Sequence, residues 1–128
     1  MRSSNPKIFI VDDDPLLSTM LKDYLTNRNE FLSIQSFSTG EACLAALDQQ
    51  PDLIILDYYL NSRSESAANG IHILKAIKKR FRALPVVMLS GQESYGTAAK
   101  TIQHGAIHYV IKGQDAFAEI NQLINANV

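Results

Sequence analysis

Asp12, Asp13 and Asp57 each stand where a short apolar run stops, and no other feature of the chain says more about its chemistry. Ile8, Phe9, Ile10 and Val11 lead straight into Asp12, Asp13 and Asp14, while Leu53, Ile54, Ile55 and Leu56 lead into Asp57. If the two runs are neighbouring parallel strands, their carboxylates gather at one sheet edge. Two like charges about 4 Å apart repel by roughly 4 kcal/mol at an effective dielectric of about 20. Three therefore cannot stay ionised together without a counter-charge or raised pKa values. An all-oxygen ligand set with no histidine beside it suits a hard divalent cation, Mg²⁺ or Mn²⁺, in preference to zinc. Carboxylates also act as nucleophiles toward phosphorus, forming aspartyl phosphates. Asp57 is the best candidate for that role, since a metal joining it to a phosphoryl group would neutralise the charge that develops.

Two further strand-length runs end in groups suited to phosphoryl oxygens. Val86, Val87, Met88 and Leu89 lead to Ser90, a hydroxyl; Tyr109, Val110 and Ile111 lead to Lys112, an ammonium. Any one of the acids could merely cap a turn between strand and helix. Asp14 does just that: Pro15 follows it at the first helical position, and such a cap is worth about 1 kcal/mol. Chance is a poor explanation for the whole set.

The elements that must position these groups are legible as alternating patterns. A helix runs from Asp14 to about Asn27 with Leu17, Leu21, Tyr24 and Leu25 on one face. Leu32, Ile34 and Ser36 alternate with Ser33, Gln35 and Phe37, as in a strand near a sheet edge. Thr39 caps a helix through Cys43, Leu44 and Leu47, which Pro51 bars from continuing. Gly70 to Arg80 makes a third helix with Ile73, Leu74 and Ile77 buried. A fourth runs from about Ser94 to His104, stopped by Gly105. Asp115 caps a last one carrying Phe117, Ile120, Leu123 and Ile124. Five strands alternating with five helices imply a parallel sheet covered on both faces. Ligands of such sheets sit at the carboxyl ends of the strands, where the winding reverses. Strands one, three, four and five end in reactive groups, whereas the second ends in Phe37 and Ser38. That favours the doubly wound order 2-1-3-4-5.

Composition sets the outer bounds. The 128 residues fit one domain able to bury an ordinary core, with residues 1–6 frayed and 7–128 folded. A net charge of −1 gives no basic surplus of the kind that argues for direct nucleic-acid binding. Lys75, Lys78, Lys79, Arg80 and Arg82 form a basic cluster, which reads as a solvated face. Cys43, the single cysteine, reads as a buried core thiol, and the absence of a disulfide framework or secretory signal points to the cytoplasm. No apolar stretch approaches the roughly 20 residues of a membrane span.

From about Lys7 to its end the chain resembles the receiver domain of two-component response regulators, a flavodoxin-like fold. The resemblance rests on four segments: Ile10-Val11-Asp12-Asp13, Asp52 through Asp57, Val86 through Gly91, and Gly105 through Lys112. Each is weak alone, but their order and spacing together are specific. The resemblance implies that Asp57 accepts a phosphoryl group from a phosphohistidine on a sensor kinase or phosphotransfer protein. It makes Asp13 a direct ligand of Mg²⁺, with Asp12 assisting and Tyr59 contributing its backbone carbonyl. It gives Ser90 and Lys112 a phosphoryl oxygen each, and makes Tyr109 the aromatic that follows Ser90. It implies a signalling switch, not a turnover enzyme, read out on the surface of the fourth helix, fifth strand and fifth helix, where a homodimer would also form.

The chain departs from the family at three places. Gly113 follows Lys112 where proline is common; a cis bond without proline costs about 2.5–4 kcal/mol, so a trans peptide is expected. The connection from Asn61 to Asn69 is polar and longer than the usual 2–6 or so residues. It reads first as a harmless insertion, and second as a device tuning partner choice or phosphoryl lifetime. Tyr59 and Gln92 occupy positions that tend to set dephosphorylation rates. Two other classes compete. An aspartyl-nucleophile phosphatase of the haloacid-dehalogenase type needs a second aspartate where Tyr59 stands, and a receiver-like interaction module that never turns over phosphate has no use for the intact acid, hydroxyl and lysine set.

Overall fold

The central strands carry four consecutive apolar residues each because the sheet is covered on both faces, and successive side chains feed two different cores. In β1 (Lys7–Val11), Phe9 and Val11 face one core while Ile8 and Ile10 face the other. The same alternation runs through β3 (Leu53–Asp57) and β4 (Val86–Ser90), both buried throughout. A computed structural model describes residues 5–60, 69–91 and 95–128. Expectations about the first four residues, the connection after Leu60, Gln92 and a helix start at Ser94 lie outside the described residues.

β2 (Ser33–Phe37) and β5 (His108–Ile111) complete a five-stranded parallel sheet in the order β2-β1-β3-β4-β5. The expected order and edge position of β2 are both found. The helices are α1 (Pro15–Arg28), α2 (Gly40–Ala45), α3 (Gly70–Arg80), α4 (Tyr95–Gln103) and α5 (Ala116–Asn127). Leu21 and Leu25 of α1 share a core with Ile120 and Ile124 of α5; Cys43 of α2 shares the opposite core with Ile73, Leu74 and Ile77 of α3.

Local chemistry sets the helix ends. The Asp14 carboxylate accepts from the N–H groups of Leu16 and Leu17, and the Thr39 hydroxyl accepts from Ala42, as expected of caps. Asn69 caps α3 by accepting from the His72 N–H at 3.1 Å. Gly105, at φ 106°, ends α4 and lets the Ala106 N–H return to the Thr101 carbonyl.

Two expectations need correction. α2 ends at Ala45, and Leu47 lies in a separate single turn of 3₁₀ helix (Leu47–Gln49). Pro51 disfavours helical backbone at Gln50, which takes a left-handed conformation at φ 59°, so the chain tightens before entering β3. Asp115 does stand just before α5, but its side chain makes no capping bond. Its ψ of 1° is not the extended backbone that aims a cap at the first turn; the Ala116 N–H goes to the Gly113 carbonyl instead.

Cys43 is fully buried, and that burial pushes its thiol up to about 12. We predict that iodoacetamide leaves native protein unlabelled at mildly alkaline pH and labels it once only after denaturation, as read by intact mass. Native labelling as fast as that of unfolded chain would contradict this packing.

Candidate functional site

The sheet register brings the sequence-predicted groups to one edge. Val11 pairs with Leu56, so Asp12 and Asp57 are the next residues on adjacent strands. Asp57 pairs with Leu89, and Ser90 with Ile111, so Ser90 and Lys112 follow on the other side. The Lys112 N–H donates to the Ser90 carbonyl at 2.7 Å, extending the β4–β5 ladder to the residue that matters. Among the described residues every peptide bond is trans, including the one between Lys112 and Gly113.

Asp12, Asp13 and Asp57 each offer a carboxylate oxygen within 4.8 Å of the others'. Asp12 and Asp57 are 3% and 2% exposed. Lys112 Nζ lies 3.5 Å from Asp12 Oδ2 and 3.4 Å from Asp57 Oδ1. Both distances exceed those of a close charge-assisted hydrogen bond, so the ammonium is shared between two acids without being committed to either. The Asp14 N–H donates to Asp12 Oδ1 at 2.9 Å, and the Tyr59 N–H to Asp57 Oδ1 at 3.2 Å.

Burial in this crowded pocket shifts both inner acids upward. The Asp12 carboxyl is raised to about 6, first by desolvation and then by Asp57, against the opposing pull of the Asp14 N–H and Lys112. Asp57 is raised too, mainly by desolvation, with Lys112 and the Tyr59 N–H pulling it back. The shared ammonium therefore does not offset the cost of burying these two carboxylates.

The pocket fits a divalent cation on its own chemistry. Its donors are all carboxylate oxygens, and Asp12 Oδ2 is buried without a hydrogen-bond partner, as an oxygen waiting for a ligand would be. A cleft of about 820 Å³ between α1 and the turn after β2 opens onto Asp12 and Asp13. A smaller groove of about 330 Å³ between α1 and α5 reaches Lys112 from the other side, past Met20 and Phe117.

The remaining expected residues sit around this centre. Ser90 is fully buried as the last residue of β4. Tyr59 is half-exposed, its ring set edge-on to Tyr58 at 4.8 Å. Tyr109 is partly buried against the core that holds Met88 and Ala106. In the basic cluster, Lys78 donates to the Leu84 and Arg82 carbonyls and Arg80 to the Leu44 carbonyl, while Lys75 and Lys79 are exposed. Sequence reasoning passed over two things. Ser18, on α1, is buried in the wall of the larger cleft. Gly70 was read only as a helix start, yet its N–H bonds to the Tyr58 carbonyl, one residue past Asp57. A glycine straight after a helix cap was the available signal.

Comparison with known proteins fits this geometry. The family model for the response regulator receiver domain matches residues 8–125, and the chain belongs to that family. It is similar to the nitrogen assimilation regulatory protein NtrX of Azorhizobium caulinodans, 33% identical over 106 residues covering 82% of this chain and 22% of NtrX. It is 29% identical over 106 residues to the transcriptional regulatory protein MalR of Bacillus subtilis, covering 82% of this chain and 43% of MalR. The crystal structure of the NtrX receiver domain from Brucella abortus superposes with a TM-score of 0.79 at 29% identity, over 93% of this chain and 96% of that one. The chain spans less than half the length of these curated relatives. It is thus a response-regulator receiver domain, a family whose standard role is to accept a phosphoryl group. Among the described residues no helix is long and apolar enough to cross a membrane.

Asp12 carries a pH prediction. Its folded pKa of about 6 lies above the ordinary 3.8, so native protein holds a proton that unfolded chain has lost across that window. The contribution of Asp12 to metal-free stability therefore falls as pH rises from about 4 to beyond 6, by an order of 3 kcal/mol for the roughly two-unit shift. Asp12→Asn escapes this loss. Thermal melts in EDTA should show the variant close to wild type near pH 4 and more stable at pH 7. A constant difference across the range would contradict the assignment.

Proposed function

We propose that Asp57 is the phosphoryl acceptor of this receiver domain, which spans residues 7–128, and that the donor is a phosphohistidine on a sensor kinase or phosphotransfer protein. The observation that carries the proposal is the sharing of Lys112 Nζ between two buried acids, Asp12 and Asp57. In the transfer an Asp57 carboxylate oxygen forms a bond to phosphorus as the phosphorus–nitrogen bond breaks and the imidazole leaves. Oδ1 already takes the Tyr59 N–H and faces Lys112. Oδ2, which carries neither contact, is the attacking oxygen.

Asp13, Asp12, Asp57 and the Tyr59 carbonyl are the groups that would hold Mg²⁺ or Mn²⁺. The bound ion supplies charge neutralisation for phosphoryl oxygens. Lys112 pairs with one phosphoryl oxygen, and the Ser90 hydroxyl donates to another. Both groups are held by the β4–β5 ladder, so the response to phosphate starts in the sheet itself. Tyr109, beside Met88 in that ladder, follows Ser90.

The energies are of the order a switch needs. Taking an equilibrium from 1:99 to 99:1 needs about 5.5 kcal/mol, and hydrogen bonds to charged groups contribute roughly 1.5–3 kcal/mol each. New bonds from Ser90 and Lys112 supply much of that bias. The readout is the α4-β5-α5 surface, where Ile102 and Ile111 are exposed and His108 pairs with Glu119 at 3.3 Å. A second copy of the chain is the proposed partner there. The domain works in the cytoplasm as a switch that assists its own phosphorylation and dephosphorylation; it neither turns over a separate substrate nor binds nucleic acid directly.

Incubation with acetyl phosphate and Mg²⁺ should add one phosphoryl mass, and none in Asp57→Asn or in EDTA. Phosphorylation that persists in Asp57→Asn would reject the assignment. Tyr59, exposed beside the acceptor, should shield the acyl phosphate from water. Phosphorylated Tyr59→Ala is therefore expected to lose phosphate faster than native protein, and equal lifetimes would count against that role.

A further inference from the structure

Gly70, the first residue of α3, is pressed against the backbone that presents Asp57. Its N–H donates to the Tyr58 carbonyl at 2.9 Å. A Cβ at this position would strike the Asp57 carbonyl oxygen, lie 2.7 Å from Tyr58 Cα and lie 2.9 Å from the Tyr58 oxygen. All three are main-chain atoms, so no change of rotamer relieves the clash.

The two elements on either side are poorly able to give way. β3 is buried along its length, paired with β1 up to Leu56 and with β4 up to Asp57 itself, and the next N–H, of Tyr58, is held by the Leu89 carbonyl. α3 is anchored by Ile71, Ile73, Leu74 and Ile77 in the core. Among the described residues, the part left to yield is the short turn through Tyr58 and Tyr59. That turn carries the N–H which fixes Asp57 Oδ1.

We infer that Gly70 is a positioning residue for the acceptor: it clamps the Tyr58–Tyr59 turn to the start of α3, and so sets the Asp57 carboxylate and the Tyr59 carbonyl. The inference rests on the proposal that Asp57 is the acceptor and Tyr59 a metal ligand. It also explains how a connection as long as residues 59–69 is compatible with a fixed acceptor, because the chain is tied together again at Tyr58 and Gly70. The cost of closing a longer loop grows only logarithmically with its length.

The test compares wild type with Gly70→Ala and with Gly40→Ala, whose added Cβ would strike the Ile73 side chain instead. Mg²⁺ affinity is measured by calorimetry, phosphorylation by acetyl phosphate at several Mg²⁺ concentrations, and the melting midpoint as control. Gly70→Ala should weaken Mg²⁺ binding by about 10–100-fold, as disturbing the supports of metal ligands does, and slow phosphorylation, most of all at low Mg²⁺. Gly40→Ala should lower the midpoint and keep native Mg²⁺ affinity. Native affinity in Gly70→Ala, or losses in both variants that track their midpoints, would overturn the inference. Should Gly70→Ala not fold, amide exchange of Gly70 in wild type decides: protection that deepens with Mg²⁺ supports the clamp, and exchange at the free-chain rate refutes it. If wild type takes no phosphate on Asp57, the acceptor assignment fails. A Mg²⁺ affinity lowered only in Gly70→Ala would still uphold the clamp.

Discussion

Three carboxylates held within 4.8 Å of one another at a water-poor sheet edge repel, and the structure is arranged around that repulsion. Two backbone N–H groups and one shared ammonium offset part of it. Burial, with that repulsion added, raises the Asp12 and Asp57 carboxyls, and one buried Asp12 oxygen has no hydrogen-bond partner. A protein under selection for stability alone would gain from removing one acid. Keeping all three makes sense when the incoming partners are a cation and a phosphoryl group.

The fold delivers this arrangement through register. Parallel pairing aligns Val11 with Leu56 and Asp57 with Leu89, so a slip by one residue would turn Asp57 to the opposite face of the sheet. The two cores guard against such a slip. Each strand feeds alternate residues to both, and a slipped strand would exchange its partners on each side. Core packing on both faces thus holds the positions of four charged side chains. The same ladder reaches Lys112 through its main-chain bond to Ser90, which joins the phosphoryl-binding groups to the β5 edge.

Much of this was legible in the sequence because strand ends are marked there. Continuous apolar runs identify strands buried on both faces, and the residue closing each run falls at the sheet edge. That logic located Asp12, Asp57, Ser90 and Lys112 and the strand order. Helix starts at Asp14 and Thr39 carry caps that the side-chain types announce. What stayed hidden depends on backbone conformation. The break between α2 and the turn at Leu47 follows from the left-handed Gln50, and the idle Asp115 side chain follows from a ψ near zero. The pressure of Gly70 on the Tyr58 backbone needs two segments brought together in space, which spacing along the chain does not reveal.

The most direct test is calorimetric titration of Mg²⁺ into the metal-free protein and into Asp13→Asn. The account predicts one saturable site per chain in the wild type, and its loss in the variant while the fold persists. No saturable binding in the wild type, or equal binding in both proteins, would contradict the claim that these acids converge to receive a cation.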